Sequence, residues 1–480
     1  MIRHWRDGTR FRLYPKAFQG FLEPETVWLS PLPGTIGPGP TDGRMHVVDA
    51  LGKEGPYDPP RWEPPYRGRV GPPARPQRDG HFDRIPPTDR TFLSAHMYGC
   101  VRRVLDVWEA LLGRPIRWWH ATTYPSLELI PLVHWDNAQS GGGFIEMGAR
   151  RNDLGALQVF CLNFEIVGHE VGHAIIFSEI GAPDRDRLTG DYLAFQESFA
   201  DLVALVSVMF FDSVITKLLA QTHGNLYVLN MLNRIGELSQ TQQIRIADNE
   251  TRMRDLYGLR FDPASDGWID ATGADRNAHD LAQPLTGAIF DILVEIFQDR
   301  LVARGIIPSE ADARGWERDE AEAAMGQFEA HWGRVFDRFE PIMREALLEA
   351  RDVVGRAIAL VLDRLDADDL TFTRVASLFL EATLELGQAH HFAAIRQNFL
   401  DRDIAAEVPA VLAIQPARFR VAPRGPQASS GRCLAERVAA QQRARRLAAD
   451  ARIVTRREER RTLPIDRVLR RDHREADRLR

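Results

Sequence analysis

His169 and His173 stand four positions apart in Val167-Gly168-His169-Glu170-Val171-Gly172-His173-Ala174, with Glu170 directly after the first histidine. On a helix, positions four apart share one face, so both imidazoles can reach a single ion. This His-Glu-x-x-His spacing is that of a zinc-binding helix, in which the glutamate sits beside the metal and can take a proton from a water held there. Zinc lowers the pKa of such a water toward about 7, and the carboxylate completes its activation. A second run, Phe195-Gln196-Glu197-Ser198-Phe199-Ala200-Asp201, supplies what the first lacks. Glu197 is the natural third ligand, leaving a fourth position open. Asp201, one helical turn further on, can accept the free ring N–H of a ligand histidine and fix its tautomer. The flanking Phe195, Phe199, Leu202 and Val203 are apolar, surroundings in which a carboxylate is costly unless paired.

These residues together resemble the thermolysin-like zinc metallopeptidases, the gluzincins, which share His-Glu-x-x-His followed by Glu-x-x-x-Asp. The resemblance spans roughly residues 88 to 403 and is most specific at the zinc motif. It implies an α+β fold of two lobes, with a mixed N-terminal lobe, a helical C-terminal lobe and the zinc helix between them. It implies a metalloendopeptidase acting on peptide or protein substrates, with Glu170 as general base. Asn137 and Ala138 match an Asn-Ala pair that the family carries on an edge strand, where substrate backbone adds as a further strand. His279 matches a histidine that stabilises the oxyanion formed when water attacks the peptide carbonyl, with Asp275 or Asp280 available to orient its ring. Arg252 is the better match, over Arg254, for an arginine bonded to a substrate carbonyl. Ile166 is placed where the family lines a pocket for a bulky apolar side chain. Tyr192 is the only tyrosine in the interval where the family has a transition-state tyrosine, but its offset differs. Glu165 matches a calcium-binding carboxylate. The acids expected to join it after Asp201 are replaced by Leu202-Val203-Ala204-Leu205, so a retained calcium site is not expected. Two other readings of the same residues stand beside the peptidase. One is a catalytically inactive zinc-binding scaffold for protein interaction. The other is a non-peptide or exopeptidase zinc hydrolase on the same fold.

Several elements must position these groups. Residues 1–87 are rich in Pro and Gly, and Pro blocks helix interiors and central strands. Trp28 and Trp62 are too apolar for a solvated tail, so this segment is expected to wrap on the body. From residue 88 to 190 the pattern is that of an N-terminal lobe. Asp89 can cap a helix through His96, Val104, Leu105 and Trp108 that stops at Gly113, and His96 reads as a packed residue. A strand-like section from Glu128 to Gly148 holds Asn137-Ala138 and the Gly141-Gly142-Gly143 run. The zinc helix is expected over 156–180, ended by Gly181-Ala182-Pro183. Gly168 and Gly172 each weaken it by about 1 kcal/mol relative to Ala, which implies a second element packed closely on that face. Residues 191–405 are expected to form a helical C-terminal lobe, helical and apolar over 198–238 and helical again over 318–400. His390 and His391, being adjacent, point to different sides of a helix and read as structural.

The 480 residues are 44% hydrophobic and 27% charged, an ordinary globular composition. The net charge of −6 is uneven: from residue 415 onward 19 arginines face 8 acidic residues, a net of +11, leaving about −17 on the remainder. This Arg-rich tail, 406–480, has almost no aromatic residues for base stacking and many interspersed acids, which argues against nucleic acid as a partner. Three cysteines in no metal or disulfide spacing read as buried hydrophobes. No apolar run reaches the roughly 18 residues of a membrane span, and none near the start has signal-peptide character. The sequence therefore suggests a cytoplasmic protein or non-classical export. It carries no signal for an oligomeric state.

Overall fold

The computed structural model describes residues 5–16, 23–151, 155, 157–184, 187–226, 230–237, 243–247, 251–256, 260–262, 267–269, 275–276, 278–308 and 318–407. Among these the chain is α+β, with eight α-helices and several small sheets. The Arg-rich tail lies, from residue 408, outside the described residues.

The Pro/Gly-rich segment folds against the body. Strands β1 (Thr9–Leu13) and β2 (Glu25–Leu29) pair antiparallel, with Phe11 opposite Val27. Thr9, Phe11 and Leu13 alternate inward, the period-2 pattern of a half-buried strand. They lie on helix α1 (Thr91–Leu112), where a Cβ on Gly99 would come within 2.6 Å of Leu13. Asp89 accepts from the Thr91 N–H at 2.9 Å, and Gly113 ends the helix at φ 73°, as the sequence predicts. His96 is buried in α1, accepting from the Tyr14 N–H through Nε2 and facing the Cys161 carbonyl through Nδ1.

A four-stranded sheet follows, built from β3 (Met45–Val47), β4 (Leu127–Ile130), β5 (Ala138–Gly141) and β6 (Phe144–Met147). Its order is β3-β4-β6-β5, parallel except at the β6–β5 hairpin. The turn between β5 and β6 uses Gly143 at φ +86°, a conformation natural to glycine. This topology leaves β5, which begins at Ala138, on the sheet's edge. A short antiparallel pair, β7 (Ala149–Arg151) and β8 (Leu157–Val159), leads onward.

Two helices at the centre are apolar nearly all round. Helix α2 (Phe164–Ile180) starts later than the expected 156, because residues 157–159 pair as a strand and 160–162 make a 3-10 turn. Asn163 then caps it, its side chain accepting from the N–H groups of Glu165 and Ile166. Helix α3 (Gly190–Val208) is capped by Thr189. The two cross tightly: a Cβ on Gly172 would lie 2.7 Å from Ala200 Cα, and one on Gly168 would lie 3.2 Å from Ala204 Cα. The helix-weakening glycines are thus the contact surface between α2 and α3, which accounts for their cost.

Helix α4 (Asp212–Thr222) turns away from α3 by 94°. The expected helical run to 238 ends there, and an antiparallel pair β9 (Arg234–Glu237) and β10 (Gln243–Ile246) takes its place. Three short strands, β11 (Arg260–Asp262), β12 (Gly267–Ile269) and β13 (Asp275–Arg276), precede helix α5 (Ala278–Ala303). Helix α6 (Arg318–Arg364) breaks at Phe339, two residues before Pro341, where the ring removes a helical hydrogen bond. Helices α7 (Phe372–Glu385) and α8 (Phe392–Asp401) close the described chain. Among the described residues no single helix is long and apolar enough to cross a membrane.

Candidate metal centre

One face of α2 carries His169 and His173, and the facing turn of α3 carries Glu197. Their donor atoms all lie within 4.8 Å of one another, so these three residues could hold a metal ion. His169 Nε2 lies 3.0 Å from His173 Nε2 and 3.3 Å from Glu197 Oε2, and His173 Nε2 lies 3.7 Å from Glu197 Oε1. A tetrahedral ion with bonds of about 2.0–2.1 Å holds its donors roughly 3.3 Å apart. The spacing fits.

The surrounding hydrogen bonds fix which atoms point inward. His169 Nδ1 sits 2.8 Å from Asp201 Oδ1, and His173 Nδ1 sits 3.4 Å from Gln196 Oε1. With each Nδ1–H donated to an oxygen, the Nε2 atoms present lone pairs toward each other and toward Glu197. Glu197 Oε2 is buried without a hydrogen-bond partner of proper angle, although His279 Nδ1 approaches it to 2.5 Å. Acceptors converging on one point are mutually repulsive unless positive charge lies among them. The same demand appears in the pKa values. Burial and Arg245 oppose protonation of His169, yet the carboxylates of Asp201 and Glu197 prevail and raise it to about 9. Burial lowers His173 to about 4. Burial alone would raise Glu197, but the neighbouring histidines hold it far below the usual carboxylate range.

Glu170 points into the same cavity, which has a volume of about 800 Å³. Burial, reinforced by Glu197 and opposed by His169, raises its pKa to about 7. A carboxyl poised there can both accept and return a proton near neutrality. Asn137 and, from β5, Ala138, Gln139 and Ser140 line the cavity, and so does Ile166.

The structure brings together most of the residues singled out in the sequence, with three differences. Arg252 does not line the cavity; it precedes the 3-10 turn at Met253–Leu256, its N–H bonded to Asp255. Arg245, on β10, lines it instead. Its guanidinium donates to Asp201 Oδ1 at 2.6 Å and lies 2.9 Å from His279 Nδ1. Tyr192 faces away: its buried hydroxyl donates to the Gly181 carbonyl and accepts from Gln196 Nε2, so it braces the residue that orients His173. His279 lies within the first turn of α5, where the sequence places it just before the helix. Its Nδ1 lies 2.5 Å from Glu197 Oε2 and 2.9 Å from the Arg245 guanidinium, while Asp280 lines the same cavity and the side chain of Asp275 falls outside the described residues. Glu165, matched by resemblance to a calcium ligand, is paired at 2.8 Å with the ammonium of Lys16. His391 pairs with Asp299 at 3.2 Å, away from the centre.

Arg245, Gln196 and Lys16 were not anticipated. Arg245 had no signal, since a cation between two isoleucines in an alternating strand reads as the solvated face. Gln196 had none either, since adjacent helical residues point to different sides and nothing in the spacing aims it at His173. Lys16 had none. Comparison with known proteins finds no matching family model and no matching curated relative.

Proposed function

We propose that the chain is a zinc-dependent metalloendopeptidase with a thermolysin-like, two-lobed arrangement. The observation that carries this reading is the placement of Glu170. It is a buried carboxyl in one cavity with three converging donors and the half-buried edge strand β5. Zinc is the preferred ion because two imidazoles and one carboxylate with a position left open is a common catalytic zinc set.

Bound zinc would supply Lewis acidity and acidify the water held in the open position. Glu170 would take a proton from a water beside it as the water oxygen attacks the peptide carbonyl carbon. It then delivers the proton to the nitrogen of the breaking C–N bond, so one water is consumed and an acid and an amine are released. His279 and Arg245 lie where they can donate to the carbonyl oxygen as negative charge develops. Arg245 thereby takes the part first assigned to Arg252. Asp201 holds His169 and Arg245 at once, coupling metal geometry to the oxyanion donors. The free edge of β5 pairs with substrate backbone, so selectivity comes from side-chain pockets such as the one bordered by Ile166.

The test is mass-spectrometric cleavage of a diverse peptide library by zinc-loaded wild type and by Glu170→Gln. Cleavage by the wild type alone is expected. No cleavage by either protein with zinc bound would remove the peptidase reading and leave a non-catalytic or non-peptide role.

A further inference from the structure

Lys16 is fully buried, at the far end of the chain from the residues it touches. Its ammonium pairs with Glu165 Oε1 at 2.8 Å, donates to the Arg234 carbonyl at 3.1 Å, and also donates to the Met231 carbonyl. Three oxygens thus surround one cation. Two belong to the chain entering β9, and the third belongs to the first turn of α2, the helix that carries the metal donors. Glu165 reaches β9 a second time, its Oε2 accepting from the Gly236 N–H at 3.2 Å. The Lys16–Glu165 pair therefore holds the segment leading into β9 at Met231 and β9 itself at Arg234 and Gly236.

Strand β9 is the support for β10. Arg234 is paired with Ile246 and Ile235 with Arg245. The carbonyl that Lys16 holds therefore belongs to the strand position next to the one opposite Arg245. Among the described residues this hairpin packs on the rest of the body mainly through α2. A two-stranded hairpin is marginal by itself, so a buried ionic clamp at its root governs where Arg245 sits.

We propose that Lys16 is a positioning residue for the cleft: its ammonium locks the β9–β10 hairpin to α2 and so sets Arg245 against Asp201 and His279. This rests on the peptidase reading for its kinetic consequence, but its structural consequence does not. The experiment compares full-length wild type, Lys16→Met and Lys16→Gly by hydrogen exchange, by zinc titration and by cleavage of a peptide identified in the library. In Lys16→Met, amides of 230–237 and 243–247 are expected to exchange at least tenfold faster, while zinc affinity, set by α2 and α3, stays within about threefold. KM and kcat are expected to respond differently from Glu170→Gln: KM rises about tenfold and kcat falls less. In Lys16→Gly, n-butylammonium is expected to restore both hairpin protection and KM, whereas tetramethylammonium, which has no N–H to donate to the three oxygens, is not. Wild-type exchange at the hairpin in Lys16→Met would overturn the proposal. So would uniform loss of protection across α2 and α3, or failure of n-butylammonium to restore a folded Lys16→Gly. If wild type cleaves nothing, the peptidase reading fails and the exchange measurements still decide the role of Lys16.

Discussion

Replacing Gly172 by alanine adds one methyl group at the contact that sets the distance between the metal-bearing helices. The new Cβ would stand 2.7 Å from Ala200 Cα and 3.1 Å from both the Cβ and the carbonyl oxygen of Ala200. Reaching ordinary contact at about 3.4 Å or beyond requires α3 to retreat by roughly 0.7 Å. Because the nearest atom belongs to backbone, no rotamer change can absorb the overlap. Glu197 lies three residues before Ala200, on the same part of α3, and retreats with it, while His169 and His173 stay on α2. Metal–donor distances are tolerated to about ±0.2 Å, so the displacement exceeds what the donor set accepts, and zinc affinity is expected to fall about 10–100-fold. Stability changes less. Alanine favours the helix by about 1 kcal/mol, and overpacking costs about 1–3 kcal/mol, for a small net loss. Gly168→Ala is the control: its Cβ meets Ala204 at 3.2 Å, a few tenths of an ångström too close, and affinity should stay within about threefold. The assay is competition for zinc against a chromophoric chelator, paired with thermal unfolding of the metal-free proteins. A Gly172→Ala protein with wild-type zinc affinity and a higher Tm would refute the reasoning, since the helices would then have room that the geometry denies them.

Asp201→Asn should lower zinc affinity about 10–100-fold by weakening its hold on His169, and Gln196→Ala should do so less, because its contact with His173 is longer; chelator competition checks both. His96 is fully buried and its pKa is lowered by burial from 6.5 to about 4. It therefore contributes stability that is present above pH 6.5 and lost as pH falls toward 4, about 3 kcal/mol in all. Urea unfolding of His96→Gln between pH 7 and 4 should show a shallower decline than wild type, and parallel curves would contradict this. Lys53 and Glu146 are both fully buried and 2.5 Å apart, with the ammonium 3.9 Å from the Tyr57 ring centroid and 3.7 Å from that of Trp62. Lys53→Met should cost about 3–5 kcal/mol by leaving Glu146 unpaired, and Lys53→Met/Glu146→Gln should recover most of it, as read by denaturant unfolding.

Local spacing carried most of the centre. His169, His173, Glu197 and Asp201 could be read because helical periodicity converts sequence distance into facing directions, and all four belong to two adjacent helices. The stop at Gly113 and the cap at Asp89 were legible for the same reason. The start of α2 was not: the apolar run Leu157 to Leu162 continues the helix's composition, and only the Asn163 side chain marks the true boundary. The β9–β10 pair was missed because the apolar composition of the helices continues through the segment after α4 and into the strands. Arg252 was preferred on the likeness of its neighbours, whereas Arg245 is selected by its position opposite Ile235. Lys16 meets its partners only through the tertiary fold, and no pattern within a window of sequence can reveal a contact of that range.

That range has a consequence for how the protein is made. The donor set and its Asp201 brace come from a helical hairpin whose members are at most 32 positions apart, a local unit of the kind that forms early. The cleft's other wall depends on contacts spanning 76 positions, from His169 to Arg245, and 218, from Lys16 to Arg234. During synthesis the residues of this candidate metal-binding pair therefore emerge before the strands and the α5 turn that complete the cavity. At that stage the three candidate donors are present while Arg245 and His279 are not, so the cavity that joins all five is completed only when the second wall has closed.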